Sequence, residues 1–203
     1  MSPVRAVLFD FGGVLVRTED RSGLRKWEQR LGLPEVGAEE AVFNSEAGRR
    51  ASLGAVPEAA VWAEVARRFQ LDQASLVEFQ RDFWSGDRLD RELVGYLTGL
   101  RPRYLTGLLS NAWSGARAAF TETFGLGEAV NVMIISAEVG VAKPAARIYH
   151  LAAQALEVRP EQAVFVDDFP QNVDGARAIG MNAIQFGTRA QALADLQTLL
   201  GGA

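Results

Sequence analysis

Apolar residues along this chain follow two rhythms. Short, nearly unbroken runs recur at 4–9, 104–109, 131–136, 163–166 and 182–186, each closed by polar or turn-forming residues. Such runs, rich in β-branched and aromatic side chains and lacking polar alternation, predict strands covered on both faces. Between the later runs, residues 114–124, 145–157 and 173–179 carry apolar side chains at helical spacing. Strand alternating with helix predicts parallel βαβ units and an open sheet flanked by helices. Pro144 stands where a helix can begin, and Gly180 where one ends ahead of "MNAIQF".

From about Thr18 to Arg88 the rhythm is helical throughout. The stretches "SGLRKWEQRLG", "GAEEAVFNSEAGRR", "PEAAVWAEVARRFQ" and "ASLVEFQRDFW" each read as an amphipathic helix. Trp27, Leu31, Val61, Val65, Phe69, Leu76, Phe79 and Phe83 form their apolar stripes and predict a packed seam. The block reads as an insertion placed directly after the first strand. No internal repeat or low-complexity segment is visible, and the final "LGGA" reads as a frayed tail.

Composition narrows the function classes. A chain of 203 residues suggests one domain, or one domain with a sizeable insertion. A net charge of −4 with no basic block makes nucleic acid and anionic membranes poor partners. The absence of cysteine excludes disulfides, thiol catalysis and thiolate metal sites, and fits a reducing compartment. "MSPVRAVLFD" is not read as a secretory signal, because its short apolar run ends on Asp10, and no stretch is long enough to span a bilayer. The expectation is a soluble cytoplasmic protein; its oligomeric state is not legible.

In an open parallel sheet, ligands gather beyond the carboxyl ends of the strands. There this chain places Asp10, Ser110 with Asn111, Lys143, and Asp167 with Asp168. Singly, each has a plain structural reading: a helix cap, a turn, a solvated lysine, a polar loop. Together they set three carboxylates against one ammonium, an excess of negative charge that calls for a hard divalent cation with oxygen ligands, Mg²⁺ being the natural candidate.

The motifs carrying these residues, "AVLFDFGGVLV", "GLLSNAW", "GVAKPAARIYHLA" and "AVFVDDFPQNVDGARAIGM", resemble motifs one to four of the haloacid-dehalogenase superfamily in order and spacing. The first motif is most similar to those of small-molecule phosphatases reading D-x-G-[GN]-V. The resemblance implies an α/β fold with a Rossmann-like parallel sheet, its Asp10 strand central. It implies a core at residues 1–16 and 89–203 and a helical cap at 17–88, with the site between them. It further implies a hydrolase acting on a small phosphorylated metabolite. Asp10 would be the nucleophile, forming an aspartyl-phosphate. The Gly12 carbonyl and Asp168 would ligate Mg²⁺ with Asp10, and Asp167 would be a supporting or alternative ligand. Ser110 and the Asn111 backbone would hold the phosphoryl group, Lys143 would offset its charge, and Asn172 would hold the fourth motif in place.

One position departs from the pattern. Phosphatases of the superfamily carry a second aspartate two residues after the nucleophile, to protonate the leaving alkoxide and then activate water; here it is Gly12. Three readings follow: another group supplies the proton, with Glu19, Asp20 and Glu46 as candidates; the chemistry is that of a metal-independent 2-haloacid dehalogenase or a phosphonate-cleaving relative; or the chain binds a ligand or partner without catalysis. A dehalogenase needs no cation, whereas adjacent Asp167 and Asp168 are costly without one. A phosphonate cleaver needs a cap lysine, and Lys26 lies on a mostly polar face. His150 reads as a structural or surface residue, Arg177 as solvent-facing and Trp113 as a packing or pocket residue, while Arg49 and Arg50 lie where a solvated helix end or an anionic substrate would suit them.

Overall fold

The computed structural model describes residues 3–201. Strand β1 (Ala6–Phe9) leads to a short β2 (Val16–Thr18). Five helices follow: α1 (Ser22–Leu31), α2 (Gly37–Phe43), α3 (Glu46–Ala51), α4 (Glu58–Phe69) and α5 (Gln73–Trp84). The chain returns through β3 (Asp87–Leu89) and then alternates: α6 (Arg91–Leu100), β4 (Leu105–Ser110), α7 (Ala116–Ala118), β5 (Val132–Ile135), α8 (Ser136–Val139) and α9 (Ala146–Ala155). It ends with β6 (Ala163–Asp167), α10 (Pro170–Ala178), β7 (Asn182–Gln185) and α11 (Arg189–Leu199).

All five strands of the main sheet are parallel, in the order β5-β4-β1-β6-β7, so the strand ending at Asp10 is central. Successive residues of β1 point to opposite faces, which accounts for its unbroken apolar run. Val7 and Phe9 join the cluster formed with Leu93, Leu97 and Leu196 of α6 and α11. Ala6 and Leu8 join Ile148, Tyr149, Ala152 and Ala176 of α9 and α10. The helical block has its own seam: Trp27, Val61, Val65, Phe79 and Phe83 are buried, with Leu31, Phe69 and Leu76 packed around them and Trp113 reaching in from beyond β4.

Local chemistry redraws several predicted elements. The second helix of the block breaks at Asn44, because the Ser45 hydroxyl accepts the Gly48 N–H and starts a new helix there. The segment 114–124 keeps only a short α turn before widening into a π turn at Ala119–Thr123. Helix α10 starts at Pro170 rather than Val173, a proline fitting the first turn where no N–H is required. Helices α6 and α11 and the antiparallel ribbon of β2 with β3 are additions to the sequence reading. The last two residues of the "LGGA" tail lie outside the described residues.

Asp90 ties the ribbon to the core. Its carboxylate caps α6 by accepting the Leu93 N–H, and it pairs with Arg17 of β2 at 2.8 Å and Arg189 of α11 at 2.9 Å. Burial alone would raise its pKa, but these partners overcome that and hold it at about 2. A carboxyl lowered from 3.8 stabilises the fold fully above that value and loses the contribution as pH falls through about 2. Asp90→Ala should therefore cost about 2–3 kcal/mol at neutral pH, counting the lost cap. The deficit, read by denaturant melts, should shrink as both proteins are taken toward about pH 2.

Candidate active site

Three strand ends and one loop converge at the carboxyl edge of the sheet. Asp10 follows β1, its N–H donating to the Val166 carbonyl of β6 at 2.8 Å, so its position is set by the sheet. Asp167 closes β6, Ser110 closes β4, and Lys143 enters from the loop ahead of α9. The Lys143 side chain is fully buried, with Nζ 2.8 Å from Asp10 Oδ2 and 2.6 Å from Asp167 Oδ2. It also lies 5.2 Å from the centre of the Phe165 ring. Taken by itself, Lys143 has no reason to be buried; the two carboxylates supply one.

Each charged group is itself held. The Asn111 side chain donates to the Lys143 carbonyl at 3.0 Å and accepts the Lys143 N–H at 2.8 Å, fixing the lysine against the end of β4. Asp167 accepts the Phe169 N–H at 2.8 Å and both its oxygens receive the Asn172 amide, at 3.0 and 3.1 Å. Tyr149 in turn donates to the Asn172 carbonyl at 2.7 Å. Asp10 Oδ1 accepts the Phe11 N–H at 2.7 Å, leaving Oδ2 on the lysine.

Negative charge exceeds what Lys143 can balance. One oxygen from each of Asp10, Asp167 and Asp168 falls within 4.8 Å of the others. Burial pushes the Asp10 carboxyl up to about 7, with Lys143 opposing and Asp167 adding to the rise. Asp168 is raised too, first by burial and then by Asp167. Tyr149 is raised by burial and then by the charges of Asp167 and Asp10, so the field reaches beyond the cleft. Most telling, Asp168 Oδ1 is buried without a hydrogen-bond partner among the described residues. A buried carboxylate oxygen left so is costly unless a cation meets it. These donors, all hard oxygens, fit a divalent cation of the Mg²⁺ or Ca²⁺ type rather than a thiophilic metal.

The two glycines after Asp10 serve different ends. At Gly13, with φ +76°, a Cβ would sit 2.2 Å from Asp168 Oδ2, so only glycine lets this loop lie against the fourth motif. At Gly12 no atom lies within 4 Å of where a Cβ would be, and the residue is exposed. The space beside the nucleophile loop is open.

Among the other residues singled out from sequence, Trp113 is buried against the helical block, its indole N–H 3.3 Å from the Gly48 carbonyl. Lys26 is exposed to solvent, as its polar face suggested, and there bridges Glu78 and Asp82 on α5. Glu46 stands in solvent 3.9 Å from Arg50, and the Arg49 guanidinium donates to the Asn44 carbonyl. His150 and Arg177 are exposed, Arg177 donating to the Ala183 carbonyl.

A family model described as haloacid dehalogenase-like hydrolase matches residues 4–180. The chain belongs to the haloacid dehalogenase-like hydrolases. Among curated relatives of this hydrolase, bifunctional epoxide hydrolase 2 of Rattus norvegicus is 25% identical over 98% of the chain. The chain spans only 39% of that protein's length. D-ribitol-5-phosphate phosphatase of Bacteroides thetaiotaomicron is 24% identical, over 90% of this chain and 91% of its own. A haloacid dehalogenase family enzyme from Bacteroides thetaiotaomicron, solved with magnesium and inorganic phosphate, superposes with a TM-score of 0.75 at 19% identity, over 92% of this chain and 96% of its own. At that identity the likeness shows the fold. No helix of this hydrolase, among the described residues, is long and apolar enough to cross a membrane.

Proposed function

We propose that this hydrolase is a Mg²⁺-dependent phosphatase of a small phosphorylated metabolite, working through an aspartyl-phosphate on Asp10. The observation that carries the reading is the unpartnered Asp168 oxygen in a cluster of three carboxylates that a single buried ammonium cannot neutralise. The phosphatase named among its relatives and the magnesium and phosphate of its structural neighbour support it. Asp10, Asp168 and the Gly12 carbonyl would hold the cation, with Asp167 beside them. When bound, Mg²⁺ would neutralise charge on the phosphoryl oxygens as a Lewis acid.

The chain's own residues supply the rest. Asp10, backed by Lys143, attacks phosphorus; without the lysine, carboxylate and phosphate dianion would repel each other strongly. The Ser110 hydroxyl and the Asn111 backbone hold the phosphoryl oxygens. Asn172 and Tyr149 keep Asp167 from turning away. Residues 17–88 would cover the cleft, exclude water and meet the leaving group. A dehalogenase reading leaves the Asp167–Asp168 pair without a purpose.

Phosphate release measured over sugar phosphates, nucleotides and acyl phosphates tests the proposal. Chelating Mg²⁺ should lower the rate at least about 100-fold, given the several kcal/mol a bound cation supplies. Release from no ester despite measurable Mg²⁺ binding would make the chain a binding protein instead.

A further inference from the structure

Two features of the molecule remain unused, and they point to the same chemistry. The first is a missing proton donor. Position 12 presents no side chain, and apart from its chain neighbours no described atom lies within 4 Å of where a Cβ would stand. Lys143 is committed to Asp10 and Asp167. Asp20 accepts from the Ser22 N–H and hydroxyl, bonds that hold its pKa low and keep it ionised. Glu46 stands in solvent beside Arg50, and Glu19 is exposed. His150 is exposed on α9 and the chain has no cysteine. Protonation of a departing oxygen is worth about 10²- to 10⁴-fold to an alkyl ester, and next to nothing to a group that departs readily as its anion.

The second feature is an aromatic wall. Trp113 sits three residues beyond Ser110, and three aromatic rings of the helical block meet it: Phe43 at 5.5 Å, Trp62 at 5.9 Å and Trp84 at 6.4 Å between centres, with Phe43 and Trp84 6.0 Å apart. Phe43 and Trp84 are each 43% exposed, although both belong to an otherwise buried cluster of Trp62, Phe79 and Phe83. Two exposed rings, packed on a tryptophan that follows the Ser110 strand end by three residues, suit a flat apolar group. They offer little to a polyhydroxylated sugar, which needs hydrogen-bond partners for each hydroxyl it buries.

We propose, on the phosphatase reading above, that this site takes phosphate monoesters of aromatic alcohols, which stack on Phe43 and Trp84 and leave as their anions. Asp10 Oδ attacks phosphorus as the P–O bond to the ring oxygen breaks, and its electron pair departs on the aryl oxide. Water then attacks the aspartyl-phosphate; the P–O bond to Asp10 breaks, the carboxylate is restored and dihydrogen phosphate leaves. The aryl oxide takes its proton from solvent after departure, so the protein donates none.

A series of substituted phenyl phosphates, with acetyl phosphate and an alkyl phosphate as references, tests this in Mg²⁺. For the wild type, log kcat/KM should fall steeply as the leaving alcohol becomes a weaker acid. Gly12→Asp, which has room for its side chain, should flatten that line and narrow the gap between nitrophenyl and alkyl esters by about 10²-fold. Phe43→Ala and Trp84→Ala should raise KM for phenyl phosphates about 3- to 10-fold relative to acetyl phosphate. A flat wild-type line, or alkyl phosphates turned over as fast as aryl ones by a protein that Asp10→Asn inactivates, overturns this proposal and leaves the phosphatase reading standing. An unchanged KM ratio in both aromatic variants overturns the wall. No phosphate from any ester removes the phosphatase reading itself.

Discussion

Asp10→Asn should lower phosphate release by at least about 10⁴-fold, the scale on which covalent nucleophiles fail, while the metal-free variant melts no lower than wild type at about pH 8. The first half follows from the proposed chemistry: an amide neither attacks phosphorus nor contributes charge to a cation site. The second follows from Asp10's surroundings, where burial raises its pKa to about 7, with Lys143 lowering and Asp167 raising it. A carboxyl raised from 3.8 gives its full contribution to stability below that value and loses it as pH climbs through about 7. At about pH 8 the metal-free wild type bears that strain, and the neutral amide does not. A variant that melts well below wild type would mean that the Lys143 ion pair outweighs burial.

Lys143→Met should be the most destabilising single change in the site. Its side chain is wholly buried between Asp10 and Asp167. Removing one partner of a buried ionic cluster costs about 3–5 kcal/mol, because the remaining charges stay out of water and uncompensated. For a chain of this size that amounts to a fall in Tm of roughly 10 °C. Added Mg²⁺ should recover part of the loss, since the cation would meet the same carboxylates; calorimetry with and without Mg²⁺ reads both effects. A Tm unchanged by the substitution would mean that the carboxylates have taken up protons at little cost.

Much of this architecture was legible because the strands are buried on both faces, so their apolar runs admit few other readings. The ends of those runs were legible for the same reason: polar groups such as Asp10 and Asp167 interrupt a hydrophobic stretch only where the sheet opens. Less visible was whatever depends on partners distant in sequence. Lys143 read as an ordinary surface lysine when taken alone, since its carboxylates lie on β1 and β6. Helix α6 was obscured by Gly95 at its middle and Gly99 near its end, both poor helix formers, although Asp90 marks its start. Helix α11 did carry a signal, the capping box of Thr188 and Gln191, and with it Leu193 and Leu196 at helical spacing. The strands β2 and β3 are too short for any alternation to register. The break at Asn44 turns on one serine hydroxyl within an otherwise continuous helical pattern.

Both passages of the chain between sheet and helical block run through the paired strands β2 and β3, which Asp90 fastens to α6 and α11. Two hydrogen-bonded tethers resist sliding past each other, so any movement of the block would resemble a door on one pin rather than a bead on two strings. If the block closes over the nucleophile as proposed, the ladder would allow it to tilt and would resist a sideways shift. Phe43 and Trp84 would then swing along a single arc, returning at each closing to the same place.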